Sequence, residues 1–234
     1  MPWFGRTTRE ARTRRVATLA ACLVGLLAVP AAASASVWHL DERSGTTAFD
    51  SAGKNNGTLK NVQVGQLPAV SGTAYRFNGV SSIVSVPAST TLNYSPTSTQ
   101  FTLTVHVAFT VVPSVAVGDY DLIRKGLSSS TGGYYKLEIF PSSDHTQGHA
   151  LCQLHGAKGS AKLVGGPNLA TGTMHTISCV VRPTSVSLVV DGATVLTKTA
   201  TIGAITNGSR FTMGAKSSGG DWFKGVLDEV SVLP

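Results

Sequence analysis

Apolar and polar residues alternate in short runs along most of the chain. Residues 101–107 read Phe-Thr-Leu-Thr-Val-His-Val, and comparable runs lie at 37–40, 74–77, 83–86, 134–140, 150–155, 175–182, 185–190, 210–214 and 226–232. Period-two alternation rich in β-branched residues predicts half-buried strands. Turn residues punctuate the runs: Asn78-Gly79, Gly132-Gly133, Asp191-Gly192 and Asn207-Gly208. Asn-Gly and Asp-Gly favour tight hairpins because both residue types tolerate positive φ. The plainest hairpin is 185–190, Asp191-Gly192, 193–198. Residues 92–99 and 142–148 read as surface loops. Many short strands with frequent turns predict a β-sandwich or barrel, and no internal repeat or second domain interrupts them.

The first 35 residues follow a different pattern. Arg6, Arg9, Arg12, Arg14 and Arg15 make a basic head, residues 16–29 carry no charge, and Ala31, Ala33 and Ala35 are spaced A-x-A. That order is the order of a secretory signal peptide, expected to be cut after Ala35. The apolar run is shorter than the roughly 20 residues of a membrane span, so stable membrane insertion is not expected, the alternative being a retained anchor. Leu19-Ala20-Ala21-Cys22 and Arg14-Arg15 give weaker lipoprotein and twin-arginine readings. The formal charge of the whole chain is +7. Five arginines and one acid, Glu10, lie in the leader, so residues 36–234 carry only about +3. No basic stripe remains of the kind nucleic-acid binding needs. About 200 residues suffice for one domain with a full core.

Several segments resemble the LamG-like jelly-roll domains of the concanavalin A-like lectin/glucanase superfamily. Trp38, Leu40, Glu42, Ser44-Gly45, Asp50-Ser51, Gly53, Asn56 and Gly57-Thr58-Leu59 resemble the opening of such a domain. Gly72, Ala74, Phe77, Gly79, Val84 and Val86 are similar to its second block. His175, Leu188 and Val190-Asp191-Gly192 resemble the central hairpin, and Met213-Gly214, Phe223, Gly225 and Asp228-Glu229-Val230 the closing strand. Met174 stands where the family usually has Trp, a change expected in packing. The resemblance implies an all-β, two-sheet antiparallel jelly-roll sandwich over residues 36–234. It implies no single function, since fold does not fix function.

Chemistry is then a matter of particular side chains. Glucanases of this fold carry Glu-x-Asp-x-Glu on one strand face, and no such run exists here. Beyond the leader the chain has three Glu: Glu42, Glu138 and Glu229. Asp228 and Glu229 are adjacent, so on a regular strand they face opposite sides. No G-x-S-x-G turn marks a nucleophile. Asp144, His145, His149, Cys152 and His155 look zinc-like in sequence, but Cys152 alternates away from His149 and His155. Those two histidines lie ~20 Å apart along a strand at ~3.3 Å per residue, too far for bonds of ~2 Å to one zinc. Cys152 and Cys179 both sit on apolar faces of separate strands. In an exported chain this favours a disulfide between neighbouring strands over two buried thiols.

The stretch Asp50-Ser51-Ala52-Gly53-Lys54-Asn55-Asn56-Gly57 offers one carboxylate and two amides. Calcium needs six to eight oxygens, so a second acid would have to join. Asp228 is the candidate, on a face shared with Val226, Val230 and Val232. The proposed ligands are then Asp50, Asn56 and Asp228; the alternative is that both acids build turns. Sugar binding needs exposed aromatics, and Trp222 in its polar loop with Asp221, together with Tyr134, is the expected set, with ordinary packing the alternative. Trp38 belongs to the core. The sequence thus predicts a secreted, monomeric, non-catalytic module that binds a polysaccharide or glycan, with calcium possible. The alternatives are an extracellular protein as partner and, more weakly, an enzyme depending on a carboxylate such as Glu138.

Overall fold

The computed structural model describes residues 1–5 and 35–234. The leader expected over residues 1–35 falls almost wholly outside them. Among the described residues no helix is long and apolar enough to cross a membrane.

Among them, too, sixteen strands follow in order: β1 (Ser36–Trp38), β2 (Thr47–Ala48), β3 (Gly57–Lys60), β4 (Gln63–Gln66), β5 (Ala74–Asn78), β6 (Ile83–Val86), β7 (Phe101–Ala108), β8 (Tyr120–Lys125), β9 (Tyr134–Pro141), β10 (Gly148–Gly156), β11 (Gly159–Gly165), β12 (His175–Arg182), β13 (Ser185–Val190), β14 (Ala193–Thr199), β15 (Phe211–Met213) and β16 (Lys224–Leu233). They form two antiparallel sheets packed as a jelly-roll sandwich. The first has the order β14-β13-β12-β7-β16-β5-β4, with β1 also on β16; the second has β11-β10-β9-β8-β15-β6-β3-β2.

The alternation seen in the sequence becomes burial. Phe101, Leu103, Val105 and Val107 of β7 point into the core with Ile177 and Val181 of β12. Tyr135, Leu137 and Ile139 of β9 face them from the second sheet. Trp38 stacks on Phe211 at 5.1 Å and 8°, joining the sheets near β1. Its indole donates to Asn55 O at 2.8 Å, which a buried N–H requires. Phe223 packs against Tyr120 at 5.6 Å and Phe77 at 5.9 Å. Met174 rests against a small outer apolar cluster of Ala74, Ala108 and Val226. The β13–β14 hairpin turns on Asp191 (φ 49°) and Gly192 (φ 79°), the paired left-handed geometry that matches strand twist.

A disulfide joins Cys152 to Cys179, with Cα atoms 5.8 Å apart. The two strands are not neighbours in one sheet, as expected from sequence. β10 belongs to the second sheet and β12 to the first, so the bridge crosses the core. Closing a loop across 27 positions contributes ~3–4 kcal/mol by loop entropy.

Two bulges break the period. In β16 the register shifts between Asp228 and Ser231, around Glu229 at φ 43°. Leu227, Val230 and Val232 therefore face the core, while Asp228 lies opposite the outward His106. The expected shared face of Asp228 with Val230 and Val232 does not exist, because the inserted residue reverses the parity. In β8 the shift falls between Asp121 and Ile123, and with it the strand loses the alternation that would have revealed it.

Candidate binding face and its buried charges

Asp50 is the hub of a turn. Its Oδ1 accepts from the N–H groups of Val37 (2.9 Å), Ala52 (3.2 Å) and Gly53 (2.9 Å), and its Oδ2 from Asn55 (3.0 Å). Asn56 Oδ1 accepts from Asp50 N at 2.9 Å. A Cβ on Gly53 would lie 2.5 Å from Asp50 Oδ2, so glycine there lets the turn close around the carboxylate. Asp228 Oδ2 accepts from Val70 N (2.7 Å) and more distantly Ser71 N (3.4 Å). Burial holds the Asp228 carboxyl above its ordinary range, and its Oδ1 has no partner. The two acids thus serve different backbone segments, and Asp50, Asn56 and Asp228 act as turn and loop ties. The cleft beside the turn, about 740 Å³, is lined by Lys54, Asn55, Asn56, Ser89 and Thr91 among others, with no aromatic side chain.

The outer face of the second sheet is chemically richer. Registers place Asp121 opposite Glu138, Arg124 opposite Lys136, Lys136 opposite Gln153, and Tyr134 opposite His155. Tyr134 is 8% exposed; its ring backs the exposed His155 at 6.1 Å and 27°, and its hydroxyl accepts from Gln153 Nε2 at 2.7 Å. Next to this stack an open groove of about 440 Å³ runs past Gly132, Gly133 and Gly156–Gly159. Lys162 Nζ lies 4.7 Å over the Phe140 ring. Tyr135, the other tyrosine of the pair, is fully internal and donates to Leu92 O at 2.8 Å.

Beneath this face lies a buried charge network. Arg124 Nε donates to both oxygens of Asp121 at 2.9 Å, and its Nη2 to Glu138 Oε1 at 2.7 Å. Lys136 Nζ reaches the same Oε1 at 2.5 Å. From the loop before β16, Asp221 N-terminal to Trp222 pairs its Oδ2 with Lys216 Nζ at 2.5 Å, and its backbone O accepts from Asp121 N at 3.0 Å. One carboxylate oxygen each from Asp119, Glu138 and Asp221 lies within 4.8 Å of the others. Glu138 Oε2 and Asp119 Oδ1 are buried without a hydrogen-bond partner. Burial, the Glu138 charge and the bond to Asp221 push the Asp119 carboxyl up to about 7. Burial and Glu138 raise Asp121 well above its ordinary value, against the pull of Arg124.

A second buried charge stands at the end of β8. Lys125 Nζ donates to Asn207 O (2.9 Å), Asn207 Oδ1 (3.1 Å) and Ser209 O (3.0 Å). Burial lowers its ammonium to about 8. Of the residues expected to bind sugar, Asp221 thus sits in the carboxylate cluster, Tyr134 lies on the adjoining face, and Trp222 is partly buried next to them. Asp119, Asp121, Arg124 and Lys125 were missed. Their one signal is density: four charges in seven residues of a chain that is 13% charged.

A family model of the concanavalin A-like lectin/glucanases superfamily (Laminin_G_3) matches residues 78–234. The chain belongs to this family. No curated protein matches it by sequence. Among solved structures it is similar to the binding domain of Paraclostridial Mosquitocidal Protein 1, with 15% identity and TM-score 0.62 over 85% of this chain and 47% of that one. The receptor binding domain of botulinum neurotoxin D gives 10% identity and TM-score 0.59 over 86% and 49%. Mouse laminin alpha1 domains LG4-5 give 13% and 0.52 over 72% and 44%. The chain spans under half the length of each of these. Family and neighbours define the chain as a laminin G-like jelly roll of the binding-module kind.

Proposed function

We propose that this chain is a secreted, non-catalytic carbohydrate-binding module, holding a glycan on the outer face of its second sheet. The observation that carries the reading is the exposed His155 ring, backed by Tyr134 at 6.1 Å, beside a glycine-lined groove. A flat ring with fixed polar neighbours is what a sugar needs: an apolar platform and a few convergent donors and acceptors. Gln153 and Lys136 supply the polar groups, and Trp222 with Asp221 lies toward the opposite flank of the same face. Glycines along the groove let a ligand approach the backbone closely.

The test is a glycan array with the full chain, the His155→Ala and Trp222→Ala variants, and a melting curve for each. Specific binding that falls at least ~10-fold in His155→Ala, with unchanged melting, supports the reading; a single stacking contact of ~1–3 kcal/mol is worth that much. Binding that survives both substitutions removes the site. No glycan retention at all, with capture of an extracellular protein, replaces the sugar by a protein partner.

A further inference from the structure

Glu138 is fully buried, and its surroundings do not complete it. Arg124 and Lys136 both approach Oε1, while Oε2 faces no donor among the described residues. Asp119 Oδ1 is in the same position. A buried carboxylate oxygen without a donor costs on the order of 1–3 kcal/mol or more. Here two such oxygens share one place, and Asp221 brings a third carboxylate within 4.8 Å. With Asp121 the network holds four acids against Arg124, Lys136 and Lys216, an excess of one negative charge.

We propose that Asp119, Glu138 and Asp221 hold a calcium ion between β8, β9 and the loop that carries Trp222. The donors are all carboxylate oxygens, which suit a hard cation. Their mutual spacing, up to 4.8 Å, matches two oxygens on opposite sides of an ion with bonds of ~2.4 Å, and is wide for magnesium at ~2.1 Å. The ion gives the two orphan oxygens a partner and reverses the residual charge. Its position also has a structural consequence. Asp119 and Glu138 belong to the sheet, whereas Asp221 closes the 216–221 loop through Lys216. Binding ties that loop to the sheet and fixes Trp222 beside the face. The ion site stands independently of the glycan reading, and it replaces Asp50, Asn56 and Asp228 as the place for calcium. The competing occupant is a proton shared between Asp119 and Asp221.

The experiment uses the full chain treated with EDTA, then titrated with calcium chloride or magnesium chloride, with melting temperature and terbium luminescence as readouts. In the wild type, calcium raises the melting temperature more than magnesium does, and terbium emission excited through Trp222 appears and is displaced by calcium. Asp119→Asn and Asp221→Asn keep the side-chain shape and remove one ligand charge. Each weakens calcium at least ~10-fold, as loss of a charged ligand does, while melting in EDTA as high as the wild type. Asp50→Asn leaves the calcium response intact. No calcium response at millimolar concentrations overturns the proposal in favour of the shared proton. So does calcium binding that persists in both cluster variants or that disappears in Asp50→Asn.

Discussion

Lys125 and the Asp119–Glu138–Asp221 cluster are both buried charge sites fed by β8, and they are complete in opposite senses. Lys125 has three N–H donors and three oxygen acceptors at 2.9–3.1 Å. Every donor is matched, yet the acceptors are neutral and the positive charge has no counter-ion. The cluster has opposite charges in close contact, four acids against three bases, yet two of its oxygens have no donor. The first site is closed and structural. The second is open in its bonding, and an incomplete buried network is where a ligand or proton can be accommodated.

This contrast can be broken at several points. Lys125→Met should have the largest effect, because it strands Asn207 O, Asn207 Oδ1 and Ser209 O in the interior. A loss of about 3 kcal/mol in urea unfolding is expected, and a loss under ~1 kcal/mol would show that these oxygens find other donors. The same residue sets a pH dependence. Its folded pKa of about 8 lies below the ordinary ~10.4, so between those values the unfolded chain binds more protons. Stability therefore rises as pH climbs from about 8 toward 10. The Lys125→Met variant should lack that rise, as equilibrium unfolding at a series of pH values would reveal.

Glu138→Gln should act in the other direction. It keeps an acceptor for Arg124, removes the excess charge and places an amide donor among the carboxylates. In EDTA we expect a gain of about 1 kcal/mol, together with loss of the calcium response. A marked destabilisation would mean that the ion pairs with Arg124 and Lys136 outweigh the crowding of acids. The smallest effect is expected at Asp228, whose carboxyl is raised by burial. Its native state binds more protons than the unfolded chain just above the ordinary carboxylate pKa, so it lowers stability as pH rises through that range. Asp228→Asn keeps the acceptor for Val70 N and should gain ~0.5 kcal/mol at neutral pH, with less fall in stability on going from acid to neutral pH.

Legibility in the sequence followed the range of the interactions. The β13–β14 hairpin was readable because its turn is local: Asp191 and Gly192 adopt positive φ whatever lies around them. β7, β9, β10 and β12 were readable because each has one buried face and no bulge. β8 was not, since a bulge and the charges Asp121, Arg124 and Lys125 hide its apolar side. Asp228 was assigned to the wrong face for the same reason, one inserted residue in β16. Asp221 was picked for its place beside Trp222, but its meeting with Asp119 and Glu138 depends on a loop crossing the sheet. Sequence separation of about 100 residues leaves no local trace of that meeting.

Taken alone, the order of residues determined the period of the strands, their hairpin turns, the family resemblance and the inward faces of Cys152 and Cys179. These depend on backbone geometry and on which side of a strand meets water, and both act over a few residues. Tertiary structure decided that the cysteines join opposite sheets, that Asp50 ties a turn, and that Glu138 lies buried among three other acids. Those outcomes depend on which faces are stacked and which loops cover them, because burial turns an ordinary surface carboxylate into one that needs a partner.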